Sequence, residues 1–396
     1  MTQETNKYYR QIDEQHYLQT FKRFPITLDY GKGSHVWDVE GKEYIDMLGG
    51  IAVNSLGYSH PEIVQAIQQQ AEKLIHISNF FLSKPQALLS EKLTKLSGLE
   101  RVFFSNSGAE TIEGAIKIAR KYAHSIGRGG EVLSFKGSFH GRTLATIAAT
   151  GKEKMMKGFE PIPTGFKQVP FNDFEAVKNN IDKNTAAIII EPIQGEGGIN
   201  VADKKFLQQL RDLCDAENIV LIFDEIQCGV GRTGKIFAKD HYGVQPDIMA
   251  LAKALGGGTP MGAILSNEKV SAAIDYGDHG TTFGGNPLVC AAALATLKVI
   301  EEENLLQEAE KKGQWLKSEI ESLNEPSIKE IRGKGLMIGV EFDFETKPLV
   351  MKMLAHGVLA NATAGNVLRL VPPLNIDYGD LEKVIEILKQ SLKEIK

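Results

Sequence analysis

Between residues 100 and 265, short unbroken apolar runs alternate with segments of helical periodicity. The runs fall at 102–104, 132–135, 187–190, 219–223 and 248–251. Amphipathic stretches occupy 109–122 and 203–217, the second carrying Phe206, Leu207, Leu210, Leu213 and Cys214 at helical spacing. A sheet with one wet face would alternate apolar and polar residues, whereas continuous apolar runs need cover on both sides. The order strand, helix, strand therefore predicts an α/β fold with a mostly parallel sheet between helices.

Beyond Asn286 the texture changes. Residues 288–303 and 305–323 read as helices, 336–342 and 367–371 as strands, and 381–392 as a closing helix. A strand–turn–strand pattern at 36–44 stands near the start. With 396 residues, two domains are expected. The reading divides the chain into an N-terminal segment, 1–45, that packs with the small domain, a large domain, 46–286, and a small α/β domain, 287–396.

Composition narrows the function classes. A formal charge of −5 gives no basic face for nucleic acid. Cys214, Cys228 and Cys290 are too scattered for a disulfide framework or a zinc cluster and read as small buried residues. Residues 1–15 are polar and carry acids, unlike a signal or transit peptide, and no apolar run approaches the ~20 residues of a membrane helix. The cytoplasm is the expected compartment.

Candidate chemistry gathers at strand ends, where open α/β sheets bind ligands. Asp224 ends the run at 219–223, and Lys253, between Ala252 and Ala254, follows the run at 248–251. One acid and one lysine so placed match the needs of pyridoxal 5′-phosphate, whose ring nitrogen wants a carboxylate and whose aldehyde wants an amine. Taken singly, each has a bland alternative as a helix cap or a solvated charge. Ser107-Gly108-Ala109, entering the helical stretch, offers unpaired N–H groups to a phosphate, or else a plain serine cap. In Ser138-Phe139-His140-Gly141-Arg142-Thr143, Phe139 can stack on a flat ring and Arg142 can grip a carboxylate. Arg369 stands among apolar residues and needs a partner; Glu196 is the candidate, with a structural salt bridge as the alternative. Gly229–Gly234 fits GxGxxG, and 229–235 nearly fits a phosphate-binding loop. Ile236 replaces the hydroxyl that would hold magnesium, so the match reads as a coincidence of a flexible loop.

Together these motifs resemble the class III pyridoxal-phosphate-dependent aminotransferases, from about Tyr17 to the C-terminal helix. Gly50-Ile51-Ala52-Val53-Asn54, Glu191-Pro192-Ile193-Gln194-Gly195-Glu196, Asp224-Glu225-Ile226-Gln227 and Thr281-Thr282-Phe283-Gly284-Gly285-Asn286-Pro287 complete the pattern. The resemblance implies fold type I, with the small domain drawn from both termini. It implies that Lys253 holds the cofactor's aldehyde and carries the transferred proton, that Asp224 pairs with the ring nitrogen, and that Gln227 approaches the ring hydroxyl. Phe139 and Ile226 would flank the ring, and Ser107, Gly108 and Ala109 would hold the phosphate. Thr282 would reach the neighbouring subunit's phosphate, making a homodimer with shared active sites.

Arg142 would bind a carboxylate of each substrate. Arg369 would bind the α-carboxylate of glutamate or 2-oxoglutarate, masked by Glu196 when the other amino donor is present. The implied reaction is a ping-pong transfer of the terminal amino group of N-acetylornithine to 2-oxoglutarate, giving N-acetylglutamate 5-semialdehyde and glutamate, in arginine biosynthesis. Ornithine, 4-aminobutyrate and N-succinyl-diaminopimelate are the alternative donors. A nucleotide-binding ATPase built on 229–235 is the remote alternative. His35 and Ile51 stand near positions where ornithine-using relatives carry tyrosines, which favours the acylated donor. Cys228 stands where a threonine or serine is usual, and Phe80-Phe81-Leu82 where tyrosines are frequent.

Overall fold

The computed structural model describes residues 5–395. The strand–turn–strand pattern near the start becomes part of a meander, β1 (Leu28–Lys32), β2 (His35–Asp38) and β3 (Glu43–Asp46). The apolar runs that follow supply β4 (Arg101–Ser105), β5 (Glu131–Phe135), β6 (Phe166–Val169) and β7 (Thr185–Ile190). A two-stranded ribbon, β8 (Ile193–Gln194) and β9 (Asn200–Val201), leaves the end of β7. Then come β10 (Val220–Asp224), β11 (Ile248–Leu251) and β12 (Gly262–Ser266).

Seven of these strands make one sheet in the order β4-β12-β11-β10-β7-β5-β6. Strands β11, β10, β7, β5 and β6 pair in parallel, while β12 runs against both its neighbours. Two strands escaped the sequence reading. Strand β6, Phe-Lys-Gln-Val, lies at the sheet edge and keeps polar residues; β12 follows a glycine-rich turn and has no helix before it. Every residue of β7, β10, β11 and β12 is buried, which accounts for their unbroken apolar character. Ile189 and Ile222 face Ile112 and Ile116 of the helix Gly108–Ser125. Their neighbours Ile188 and Leu221 face Phe206, Leu207 and Leu210 of the helix Lys204–Glu217. The period of two along each strand thus serves two helical layers.

The C-terminal part adds β13 (Ile328–Lys334), β14 (Met337–Phe342), β15 (Val358–Leu359), β16 (Asn361–Thr363) and β17 (Val367–Leu370). Strands β13, β14, β17 and β16 form an antiparallel sheet in that order, whereas β15 joins the N-terminal meander, parallel to β3. Further bonds tie the same regions. Val371 N donates to Met47 O at 2.8 Å and Leu374 N to Ser55 O at 2.7 Å. The Asp380 carboxylate accepts from Ser34 Oγ at 2.7 Å.

The glycine-rich loop at 229–234 is not a flexible loop. Arg232 within it is fully buried and donates to Leu336 O at 3.1 Å, Pro372 O at 2.5 Å and Ser55 Oγ at 3.3 Å. The loop thus fastens distant parts of the chain. A short 3-10 turn, Ala238–His241, follows it in place of a phosphate-binding helix. The three cysteines are free and buried, and the described residues contain no cluster fit to hold a metal ion.

Candidate active site

Strands β10 and β11 are parallel neighbours with Asp224 opposite Ala250, so Asp224 and Lys253 emerge at the same carboxyl edge of the sheet. Lys253 opens a 3-10 turn, Lys253–Gly256, with φ +44°, a left-handed conformation that side-chain-bearing residues seldom adopt outside functional sites. Between the two lies a cavity of about 420 Å³. Asp224, Ile226, Gln227 and Lys253 line it from the sheet edge. Ser107, Gly108 and Ala109 line it from the helix start, and Phe139, Arg142 and Glu196 from flanking loops.

The acid is anchored on both oxygens. His140 Nδ1 lies 2.7 Å from Asp224 Oδ2, and Ile226 N donates to Asp224 Oδ1 at 3.1 Å. Burial works against a charged imidazole, but the hydrogen bond and the charge of Asp224 outweigh it and raise His140 above its ordinary value. A carboxylate can accept about four hydrogen bonds, so Asp224 retains capacity for a further N–H. Glu191 lies close behind. Burial pushes its carboxyl upward, and its oxygens accept from Phe139 N at 3.0 Å and Gly195 N at 3.1 Å. It thereby joins the loop of Phe139 to the loop of Glu196. Lys253 is half-buried on the cavity wall, and desolvation brings its amine down to about 8, against an opposing pull from Glu196. An amine poised there is free of its proton far more often than a solvated lysine.

The helix start is braced from within. Ser107 Oγ caps the helix by accepting from Glu110 N at 3.3 Å, which leaves the hydroxyl proton free to donate. The plain serine cap is thus present, and the hydroxyl keeps a donor for an anion. Thr111 Oγ1 donates to Ser107 O at 2.9 Å and pairs with Ser105 Oγ at 2.7 Å. Gly108 keeps the approach close, since a Cβ there would stand 3.0 Å from Ile226 Cδ1 and the isoleucine would have to give way. The unpaired N–H groups and the dipole of an 18-residue helix converge at this point and favour an anion.

The two arginines differ. Arg142 is exposed, its guanidinium 5.5 Å from the centre of the Phe139 ring. Arg369 is fully buried and stands behind the cavity wall. It is ion-paired through Nη1 with Glu196 Oε1, donates from Nη1 to Gln227 Oε1 at 3.3 Å, and from Nε to Asn361 Oδ1 at 3.1 Å. Burial alone would raise Glu196, but the charge and hydrogen bond of Arg369 hold it below the usual carboxylate range. The partner expected for Arg369 is therefore the one found. Thr282, like Arg369, does not line this chain's cavity, and it is exposed, on a loop tied down where Asn106 Nδ2 donates to Thr281 Oγ1 at 3.2 Å. Sequence reasoning passed over His140, Glu191, Asn361 and Thr363. The first two lay inside motifs already quoted, whereas the last two carry no signal without strand register.

These features fit pyridoxal phosphate. The cavity combines an anchored acid, a helix start for a dianion, a depressed lysine, and Phe139 and Ile226 as apolar walls for a ring. Its volume lies within the roughly 300–1,000 Å³ of small-molecule sites.

Residues 17–392 match the family model described as aminotransferase class-III. The chain is 54% identical to the acetylornithine aminotransferase of Methanocaldococcus jannaschii over 97% of its own length and 98% of the relative's. It is 47% identical to the acetylornithine aminotransferase of Caldanaerobacter subterraneus over 97% and 99%. Among solved structures it superposes on the acetylornithine aminotransferase of Elizabethkingia anophelis with a TM-score of 0.88 at 36% identity, covering 99% of this chain and 100% of that one. The ornithine aminotransferase of Toxoplasma gondii gives a TM-score of 0.96 at 34% identity, covering 100% and 96%. The strand-end acid and lysine, the helix start and the full-length matches agree: the chain belongs to the class III, pyridoxal-phosphate-dependent aminotransferases.

Proposed function

We propose that this chain transfers the terminal amino group of N-acetylornithine to 2-oxoglutarate in two half-reactions, giving N-acetylglutamate 5-semialdehyde and glutamate, as a step of arginine biosynthesis. The observation that carries the substrate reading is Arg369, a buried cation masked by Glu196 beside the cavity. One site must accept a dicarboxylate and also a donor whose reacting end bears only an amine. An acid that neutralises the arginine and can swing aside meets both demands without leaving a buried charge unpaired. The names of the relatives at 54% and 47% identity support the same substrate.

In this reading Ser107, Gly108 and Ala109 hold the cofactor's phosphate, Phe139 and Ile226 flank its ring, and Gln227 approaches the ring hydroxyl. Asp224, kept in place by His140, holds the proton of the ring nitrogen. When bound, pyridoxal phosphate supplies an electron sink that acidifies the hydrogen on the carbon bearing the amine. Lys253 holds the cofactor's aldehyde between turnovers, and its Nζ, lowered to about 8, accepts and returns that hydrogen as a proton. Arg142, at the mouth, binds a carboxylate of either substrate.

We also read the chain as a homodimer. Phe80 and Leu82 are 95% and 93% exposed and Thr282 stands clear of its own cavity, an arrangement that a second copy would cover and use. The division into a segment 1–45, a large domain 46–286 and a small domain 287–396 belongs to the same reading, as does the cytoplasm. No helix among the described residues is long and apolar enough to cross a membrane.

The test mixes holoenzyme with N-acetylornithine, ornithine, 4-aminobutyrate and N-succinyl-diaminopimelate at equal concentrations and follows loss of the cofactor's absorbance in a single turnover. N-acetylornithine should convert it fastest. Faster conversion by ornithine or 4-aminobutyrate would overturn the assignment.

A further inference from the structure

The masking pair of Arg369 and Glu196 is held by one short strand. In the antiparallel register of β16 and β17, Asn361 stands directly opposite Arg369. Opposed residues share a face, so Asn361 Oδ1 reaches Arg369 Nε at 3.1 Å. Two residues on, and therefore on the same face, Thr363 Oγ1 donates to the backbone oxygen of Glu196 at 2.9 Å. Strand β16 thus grips the arginine by its side chain and the glutamate by its backbone. On the other flank of β17 the residue opposite Arg369 is Gly339, where a Cβ would stand 2.9 Å from Ile199 Cβ. No side chain from that strand competes for the guanidinium.

The backbone around Glu196 is fixed at further points. Gly195 N donates to Glu191 Oε1 at 3.1 Å, and Arg332 Nε donates to Gly198 O at 2.9 Å. With residues 195, 196 and 198 all tied, unmasking proceeds by rotation of the Glu196 side chain and not by movement of its loop. The arginine must then stay aligned without its acid. A guanidinium has a side-on edge, Nε with Nη2, and an end-on edge, Nη1 with Nη2. Asn361 occupies Nε, Glu196 and, at 3.3 Å, Gln227 share the two protons of Nη1, and Nη2 has no hydrogen-bond partner among the described residues. Once Glu196 leaves, the end-on edge alone is open to a bidentate carboxylate.

We propose that Asn361 is a positioning residue for the dicarboxylate half-reaction: a neutral hold on Nε that presents the end-on edge of Arg369 when Glu196 rotates away. Neutrality is the essential property. An acid at 361 would hold Nε equally well but neutralise Arg369 permanently, cancelling the attraction for substrate. The inference rests on the reading that Arg369 takes a substrate carboxylate.

The test measures binding of glutarate, a dicarboxylate with no reacting carbonyl, to the holoenzyme by calorimetry, alongside single-turnover rates for each half-reaction. Asn361→Ala should weaken glutarate about tenfold, the worth of one charge-assisted hydrogen bond. It should slow the 2-oxoglutarate half at least about fivefold more than the amine half. Asn361→Asp, nearly identical in shape, should weaken glutarate at least as much, with no loss of melting temperature. A merely structural asparagine would be rescued by aspartate, and restored glutarate binding in that variant would overturn the proposal. So would equal losses in both halves for Asn361→Ala. Arg369→Lys separates the two failures. If it binds glutarate like the parent, the reading of Arg369 falls; if it loses glutarate while Asn361→Ala does not, only the role of Asn361 falls.

Discussion

Replacing Glu196 by alanine should make one substrate bind better and the other react worse. In the proposed reading a dicarboxylate reaches Arg369 only after the ion pair with Glu196 is broken. A hydrogen bond to a charged group is worth roughly 1.5–3 kcal/mol, so masking holds dicarboxylate affinity down by about one to two powers of ten. Part of that cost returns when the displaced carboxylate is hydrated. The Glu196 side chain, 29% exposed, already touches solvent, so the lower end applies and Glu196→Ala should tighten 2-oxoglutarate by about tenfold. For the amine donor the sign reverses. Without its acid, Arg369 stays charged and fully buried, with Gln227 and Asn361 as neutral acceptors, and the donor half should slow by a similar factor. Stopped-flow single turnovers, run separately with N-acetylornithine on the aldehyde form and 2-oxoglutarate on the amine form, give both numbers. Equal losses in both halves, or unchanged 2-oxoglutarate affinity, would refute the masking argument.

Lys253→Ala should retain the cofactor non-covalently yet lose about three or more powers of ten in turnover, and borohydride should then fix no cofactor to the chain. Normal turnover would contradict the role given to Nζ. Because Lys253 is lowered to about 8, covalent capture of pyridoxal phosphate by apoprotein should slow as pH falls through that value. The loss approaches tenfold per pH unit below it; a flat rate between about pH 6 and 9 would exclude Nζ as the titrating group. His140 is raised by Asp224, so its contribution to stability is fully present below its unfolded value of about 6.5 and is lost as pH climbs through the raised folded value. The urea midpoint of the parent relative to His140→Phe should therefore fall on going alkaline. A pH-independent difference would mean that the dyad adds no charge-dependent stability.

The layered sheet was legible because burial on both faces leaves unbroken apolar runs, and Asp224 and Lys253 were legible because strand ends are marked by where those runs stop. Strand β12 was not, since five small and apolar residues after a glycine-rich turn look the same whether the strand runs with its neighbours or against them. Arg369 announced itself as a charge among apolar residues, and Glu196 as the acid to meet it. Asn361 and Thr363 did not, because an asparagine and a threonine gain meaning only from what stands opposite, and register is a property of two strands. The loop at 229–234 misled for a related reason. Glycines that suit a phosphate cradle equally suit a tight turn around a buried arginine, and only Leu336, Pro372 and Ser55 decide between them.

Those partners of Arg232 also bear on the order in which the protein can be completed during synthesis. All seven strands of the main sheet lie between residues 101 and 266, and so does the seat of the acid, the lysine and the helix start. Residues 34–55, made earlier, pair partly with one another, but several of their bonds reach to 336–380: Arg232 joins Ser55 to Leu336 and Pro372, Met47 accepts from Val371, and Ser34 donates to Asp380. A nascent chain halted near residue 300 therefore holds the framework of the cavity but neither Arg369 nor the bonds that tie Met47 and Ser55 to Val371 and Leu374. In the proposed reading, every residue assigned to the cofactor within this chain is therefore made before Arg369, the substrate switch's cation.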